Sequence, residues 1–298
     1  MWRIWVSALF WGLNWPAVKL ALDGFSPWTF RVVGLGLGAV LLAAIAIATR
    51  RPLAVPAGHR MALFIAAFLS VAGFNICAVF AQLAMPTSRA AILTFTMPMW
   101  AALFGALFAG ERIDGLRALA LGCGAAGLAL LARPYWPALA AGTLPAGLVF
   151  VLGAAISWAA GTVYTKHRGL PGDPLALAAW QLGIGAAVAA AGALAFESPR
   201  IDLASPVVKG ALVYHVVLAL ALAYFLWFQL LDRVPSGTAA LGTLLIPVFA
   251  VAGSAAILGE QPALTDFAGF GLILLGVGLD QGLRTMLARP RRMGKAGG

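Results

Sequence analysis

An all-α polytopic membrane protein, with ten transmembrane helices arranged as two inverted five-helix repeats, is the fold this 298-residue sequence predicts. Three observations predict it. Hydrophobic residues make up 62% of the chain, charged residues 10%, and mean hydropathy is +0.95, more apolar surface than one water-soluble core can enclose. Displaced by 149 positions, the chain matches itself: Pro86, Thr94, Pro98, Gly110, Glu111, Gly122 and Gly127 fall on Pro235, Thr243, Pro247, Gly259, Glu260, Gly271 and Gly276, among twelve identities between 84 and 130. With the N-terminus in the cytoplasm, fourteen of twenty Lys and Arg residues fall in cytoplasmic segments; Lys19, Arg89, Arg133, Arg200 and Lys209 lie opposite, and Arg31 lies near the start of span 2. That bias puts both termini in the cytoplasm, and five spans per half then turn the second copy upside down.

Each span has a local reason, about 20 mostly apolar residues bounded by turn formers. Span 1, 4–22, follows Arg3 as a secretory signal would, yet Trp5, Trp11, Asn14, Trp15 and Lys19 make a poor signal core, so it is retained. Span 2, 28–48, opens after Pro27; its Gly34, Gly36 and Gly38 read as a packing face, not a dinucleotide motif, because no strand precedes them. Span 3, 61–83, lies between the Pro52–Gly58 turn and Pro86, and span 4, 87–108, holds Pro98. Span 5, 115–132, follows Gly110 to Gly115 and is studded with glycine. After Pro134 to Pro145 come span 6, 145–165, span 7, 174–196, and span 8, 208–230, punctuated by Gly169 to Pro174 and Ser198 to Pro206. Span 9, 237–258, runs from Pro235 to Gly259 with Pro247 inside, and span 10, 265–285, follows Pro262. The halves are therefore 1–133 and 145–288, joined by the loop 134–144 and followed by a basic cytoplasmic tail, 289–298.

The net charge of +10 does not signal a nucleic-acid partner, because Arg284, Arg289, Arg291, Arg292 and Lys295 supply half of the excess as a cytoplasmic flank. Cys77 and Cys123 sit in apolar runs, so no disulfide, metal centre or cofactor is expected. Loops are too short for a soluble catalytic domain. An intramembrane enzyme would need a nucleophile and base at one depth; Ser254 and His215 are the nearest pair of types and lack the Gly-x-Ser-x-Gly context. All ten carboxylates fall at helix ends or in loops, which argues against proton or sodium coupling; the lack of a buried acid or base also argues against tight recognition of a charged group.

The doubled Gly110-Glu111 and Gly259-Glu260 pairs fall on opposite faces of the membrane in an inverted repeat, so they read as helix ends, with Glu capping the next helix or pairing with a nearby Arg. Pro98 and Pro247 should each kink a span and free the carbonyl of Thr94 or Thr243, either satisfied by that Thr or lining a flexible cavity wall. Asn14 shares a face with Trp11, Trp15 and Val18; Trp158 and Thr162 share one with Ser157, Gly161 and Thr165; and Phe74, Asn75 and Ala78 form a third, the shift of 149 placing Asn75 on Tyr224. His215 lies about 10 Å inside span 8, as a hydrogen-bonded interior residue. The glycines of spans 5 and 10, Gly122, Gly124, Gly127, Gly269, Gly271, Gly276 and Gly278, read as packing faces within one molecule, so a monomer is expected rather than a dimer.

Phe10-Trp11-Gly12-Leu13-Asn14-Trp15-Pro16 with Lys19, Thr29-Phe30-Arg31, the Pro86 to Pro98 segment and Gly110-Glu111, with their second-half counterparts, resemble the EamA family of the drug/metabolite transporter superfamily over almost the whole chain. Bacterial aromatic amino acid exporters within it are particularly similar. The resemblance implies a central cavity between the repeats and export by alternating access across the bacterial inner membrane. Its lining would include Asn14, Trp15, Phe74, Asn75, Ala78, Thr94, Pro98, Trp158, Thr162, His215, Tyr224, Thr243 and Pro247, with Trp100 a further candidate off the Thr94–Pro98 face. Membrane lipids and a small amphipathic solute such as an aromatic or other hydrophobic amino acid are then the expected partners; drugs, nucleosides and other metabolites stay open as cargo.

Overall fold

The computed structural model describes residues 2–231 and 243–280, and these are helical apart from short connections and one isolated bridge, Phe25 to Ile201. Helix α1 runs Trp2–Ala21 and α2 Pro27–Ala48. Helix α3 spans Ala57–Ala84, α4 Thr87–Phe108 and α5 Gly115–Ala132. Helices α6 and α7 are Ala146–Arg168 and Pro174–Phe196, and α8 continues from Pro206 to Leu231. The last two, α9 at Leu245–Leu258 and α10 at Leu264–Gly278, are shorter and equally apolar. Among the described residues, seven helices are long and apolar enough to cross a membrane, and large apolar side chains such as Leu194, 86% exposed, and Leu264, 84% exposed, stand on the outside. The chain is a polytopic helical membrane protein.

Helix ends follow local chemistry. Asp114, Asp173 and Ser205 accept backbone N–H groups at the starts of α5, α7 and α8. Gly110 (φ 67°) and Gly259 (φ 68°) end α4 and α9 in the left-handed conformation, where a Cβ would be strained; the next N–H, of Glu111 or Glu260, then bonds back to Gly105 O at 3.0 Å or Ser254 O at 3.3 Å. The 134–144 connection is more ordered than a loop, carrying a 3-10 turn at Arg133–Tyr135 and a helical turn at Trp136–Ala140. Asp232, Arg233, Pro235, Gly237, Arg284 and the tail from Arg289 to Lys295 lie outside the described residues.

Packing is organised by pairs. Helix α2 lies along α7, α5 along α10, α1 against α8 and α9, and α6 against α3 and α4. Close approach needs glycine. A Cβ on Gly12 would meet Phe249 Cβ at 2.4 Å and Ile246 O at 2.7 Å, so α1 rests directly on the backbone of α9. Between α5 and α10, Gly124, Gly127, Gly269 and Gly276 are likewise in contact, whereas Gly122, Gly271 and Gly278 face open space and are not part of that seam.

Candidate functional site

Two long helices are interrupted where the chain offers no proline. Phe68–Gly73 in α3 and Tyr214–Leu222 in α8 are π-helical turns, and the shift of 149 carries 68–73 onto 217–222. A wider turn leaves carbonyls short of their usual donors, and side chains of the crossing helices supply them. Ser157 Oγ of α6 donates to Leu69 O at 2.7 Å; from α1, Trp11 Nε1 donates to Ala219 O at 3.0 Å and Ser7 Oγ to Ala223 O at 3.4 Å. Asn75 Nδ2 returns to Val71 O at 2.9 Å.

Helix α4 is broken outright. Phe95 and Thr96 leave helical geometry with ψ near zero, separating Thr87–Thr94 from Met97–Ala109. The hydroxyls beside the break are consumed by it: Thr94 Oγ1 donates to Ala90 O at 2.7 Å and Thr96 Oγ1 to Leu93 O at 2.8 Å. Leu244, the counterpart of Phe95, is likewise a turn (ψ −18°) immediately before α9. Thr94 is wholly enclosed, Pro98 sits in a crevice formed by α4, α5 and α10, and Pro247 is buried. Trp100 is half-buried with its Nε1 unpartnered, and Thr243 is half-buried.

The remaining predicted residues divide into two groups. Asn14 of α1 and His215 of α8 meet, Oδ1 to Nδ1 at 2.8 Å; an amide oxygen only accepts, so Nδ1 is the donor. Phe74 packs edge-to-face on Trp158 at 5.2 Å, and Tyr224 packs in the same manner on Trp11 at 5.5 Å. Trp11 also meets Trp227 at 5.4 Å. Both join the site only here, although Trp11 already shared Asn14's face in the sequence. Trp15 and Ala78 are enclosed in the core, while Thr162 is exposed, its hydroxyl bonded to Trp158 O at 2.9 Å. Ser254 Oγ has no hydrogen-bond partner, so it forms no dyad with His215.

The expected lack of a buried acid or base is overturned: Asp266 is 5% exposed. A buried base does exist: Arg31 of α2 is 3% exposed, its guanidinium lying over the Phe30 ring at 5.2 Å. Its place near the start of span 2 gives no sign of this burial in the sequence.

Carboxylates are held at helix ends. Glu260 does not cap α10, the helix that follows it; Oε1 and Oε2 accept Thr87 N at 2.6 Å and Ser88 N at 2.8 Å, at the start of α4 in the other half. Glu197 similarly caps α2 through Thr29 N at 2.6 Å and Trp28 N at 3.2 Å. Arg89 is bidentate to Asp266, at 3.0 Å twice. Glu111 meets Lys166 at 2.9 Å and Arg117 at 3.0 Å, and the bond from Lys166, with Arg117's help, holds its carboxyl below the usual carboxylate range against partial burial.

Comparison with known proteins gives a consistent answer. The model of the EamA-like transporter family matches twice, over residues 2–133 and 145–279. The uncharacterized transporter YvbV of Bacillus subtilis is 27% identical, the match covering 90% of this chain and 87% of that protein. A probable amino-acid metabolite efflux pump of Escherichia coli is 26% identical over 90% and 89%. A solved protein crystal structure shares the fold, with TM-score 0.64 and 18% identity over 96% of this chain and 97% of that one.

Proposed function

Because the chain belongs to the EamA-like transporter family, and is a membrane transporter rather than an enzyme, we propose that it exports amino acids, aromatic or other hydrophobic ones, by alternating access through a cavity between two inverted repeats. One set of contacts carries the cargo class: a hydrogen-bonded Asn14–His215 pair in the interior, together with the aromatic pairs Trp11–Tyr224 between α1 and α8 and Phe74–Trp158 between α3 and α6. Aromatic walls with few polar groups suit a small solute with an apolar side chain. The relative named as an amino-acid metabolite efflux pump supports the same cargo.

The inverted repeat is supported by how the halves correspond. Exchanging each helix for the one five places on maps α1–α9 packing onto α6–α4 and α1–α8 onto α6–α3, and returns α2–α7 and α5–α10 to themselves. The two family matches divide the chain at the same place, in keeping with repeats at 1–133 and 145–288. Both termini, with the tail 289–298, are assigned to the cytoplasm of a bacterial inner membrane, and the protein to a monomer among lipids. Helices α4 and α9 then work as broken levers, bending at Phe95–Thr96 and Leu244 ahead of Pro98 and Pro247. Transport is uncoupled or by exchange, because every described carboxylate is at a helix end or loop.

Reconstituted vesicles loaded with labelled amino acids, nucleosides and cationic dyes test the reading. Release of phenylalanine, tryptophan or leucine, unaffected by an imposed pH gradient, is expected. Release of dyes or nucleosides alone would replace the cargo, and no release of any solute would remove the transport mechanism proposed.

A further inference from the structure

Arg31, 3% exposed, is a buried cation outside every ion pair among the described residues. No described residue offers its guanidinium a hydrogen bond or an ion pair, and its Nε is fully enclosed without a partner. Several described carboxylates are committed elsewhere, and Asp23 is exposed. Glu197, at the start of the same helix, is taken by two backbone N–H groups and the hydroxyls of Ser26 and Thr29. Asp266 holds Arg89, Asp173 holds Arg51, and Glu111 and Asp280 hold Arg117. His215 and Arg31 share the Phe30 ring, the imidazole at 5.0 Å and the guanidinium at 5.2 Å.

A second buried polar atom beside Arg31 is also unpartnered. His215 Nε2 has no hydrogen bond, and it lies against Gly34, where a Cβ would be 2.8 Å away. Gly34 is one helical turn from Arg31 on the same side of α2. An arginine at membrane depth is costly to keep without an anion, and its planar fork fits a carboxylate through two parallel bonds.

We propose that Arg31 receives the carboxylate of the transported solute, which makes the cargo an organic acid, amino acids included, and not a neutral or purely cationic compound. This rests on the transporter reading above and narrows its substrate class. It predicts binding that follows the carboxylate, whatever the rest of the solute.

Ligand-induced shifts in melting temperature of the full-length detergent-solubilised protein test it, with L-phenylalanine and 3-phenylpropionate set against L-phenylalaninol, which lacks the carboxylate. Wild type should respond to both acids at concentrations at least about tenfold below those needed with phenylalaninol, and Arg31→Gln should lose that preference. Arg31→Lys, which keeps charge without the fork, should fall between them and covers the case in which the Gln variant does not fold. Equal responses to acids and alcohol in wild type, no response to either acid, or a preference unchanged by both substitutions would overturn the assignment. Phenylalanine release from vesicles is measured in parallel: its absence, with the carboxylate preference intact, would remove amino-acid export and leave the anion site standing.

Discussion

Gly127 and Gly122 lie five residues apart on α5, and they should respond in opposite ways to the same methyl group. On Gly127 a Cβ would stand 2.7 Å from Gly269 O and 2.9 Å from Ile273 Cγ1, so the α5 and α10 backbones must part by about 0.7 Å to reach ordinary contact. On Gly122 nothing lies within 4 Å. Both changes to alanine gain the same helix preference, about 1 kcal/mol, so the difference between the variants isolates packing. Overpacking of this kind costs about 1–3 kcal/mol. Thermal unfolding of the two purified variants in one detergent reads the difference directly: Gly127→Ala should melt several degrees below Gly122→Ala. If it melts at or above Gly122→Ala, the two helices are not in backbone contact and the seam is misplaced.

Other substitutions probe the charges and the site. Glu260→Gln should lower stability by about 1–2 kcal/mol, since it removes the charge that faces Thr87 N and Ser88 N at the start of α4; unfolding midpoints against Glu197→Gln would show whether the two caps are comparable. Glu111, held below its usual value of 4.5, contributes stability that is present above that value and lost as pH falls through its lower folded value. The gap in melting temperature between wild type and Glu111→Gln should therefore hold from neutral pH to about 5 and close below 4.5; a gap that persists under acid would place the interaction elsewhere. Asn14→Leu would strip His215 Nδ1 of its acceptor inside the bundle, and should cost about 1–3 kcal/mol of stability as well as flux. Wild-type melting and flux in that variant would remove the pair from the site.

Much of the helical layout was written in local chemistry. The spans 87–108, 115–132 and 174–196 coincide with Thr87–Phe108, Gly115–Ala132 and Pro174–Phe196 because Pro86, Asp114 and Asp173 act on their own neighbours. The left-handed ends at Gly110 and Gly259 were legible for the same reason. What escaped depends on residues remote in sequence. Glu260 reaches across 173 positions to Thr87, and nothing next to Glu260 announces that target. Arg31 is enclosed by Phe30 and a histidine on α8, while its immediate neighbours read as an ordinary helix start. Among the candidate residues, Asn14, Phe74 and Trp158 stand out in the sequence by sharing faces with other polar and aromatic side chains, and His215 by its depth in span 8. Thr94 shared such a face as well, and its hydroxyl turned inward to serve its own broken helix.

The π turns change how α3 and α8 should be read as helical wheels. Each inserts about one residue beyond the regular count, which sets everything after it back by about 100° around the helix axis. A wheel drawn straight through 60–84 therefore assigns Phe74, Asn75 and Ala78 to the wrong azimuth relative to Leu63 and Ala66, though each stretch is correct within itself. Helix α8 carries the same phase slip between Val208 and Tyr224. Removing a single residue inside either turn would leave an unbroken α-helix with its second part facing where it faces now, because the lost residue cancels the slip, whereas the same deletion in a regular stretch would re-aim everything after it by about 100°.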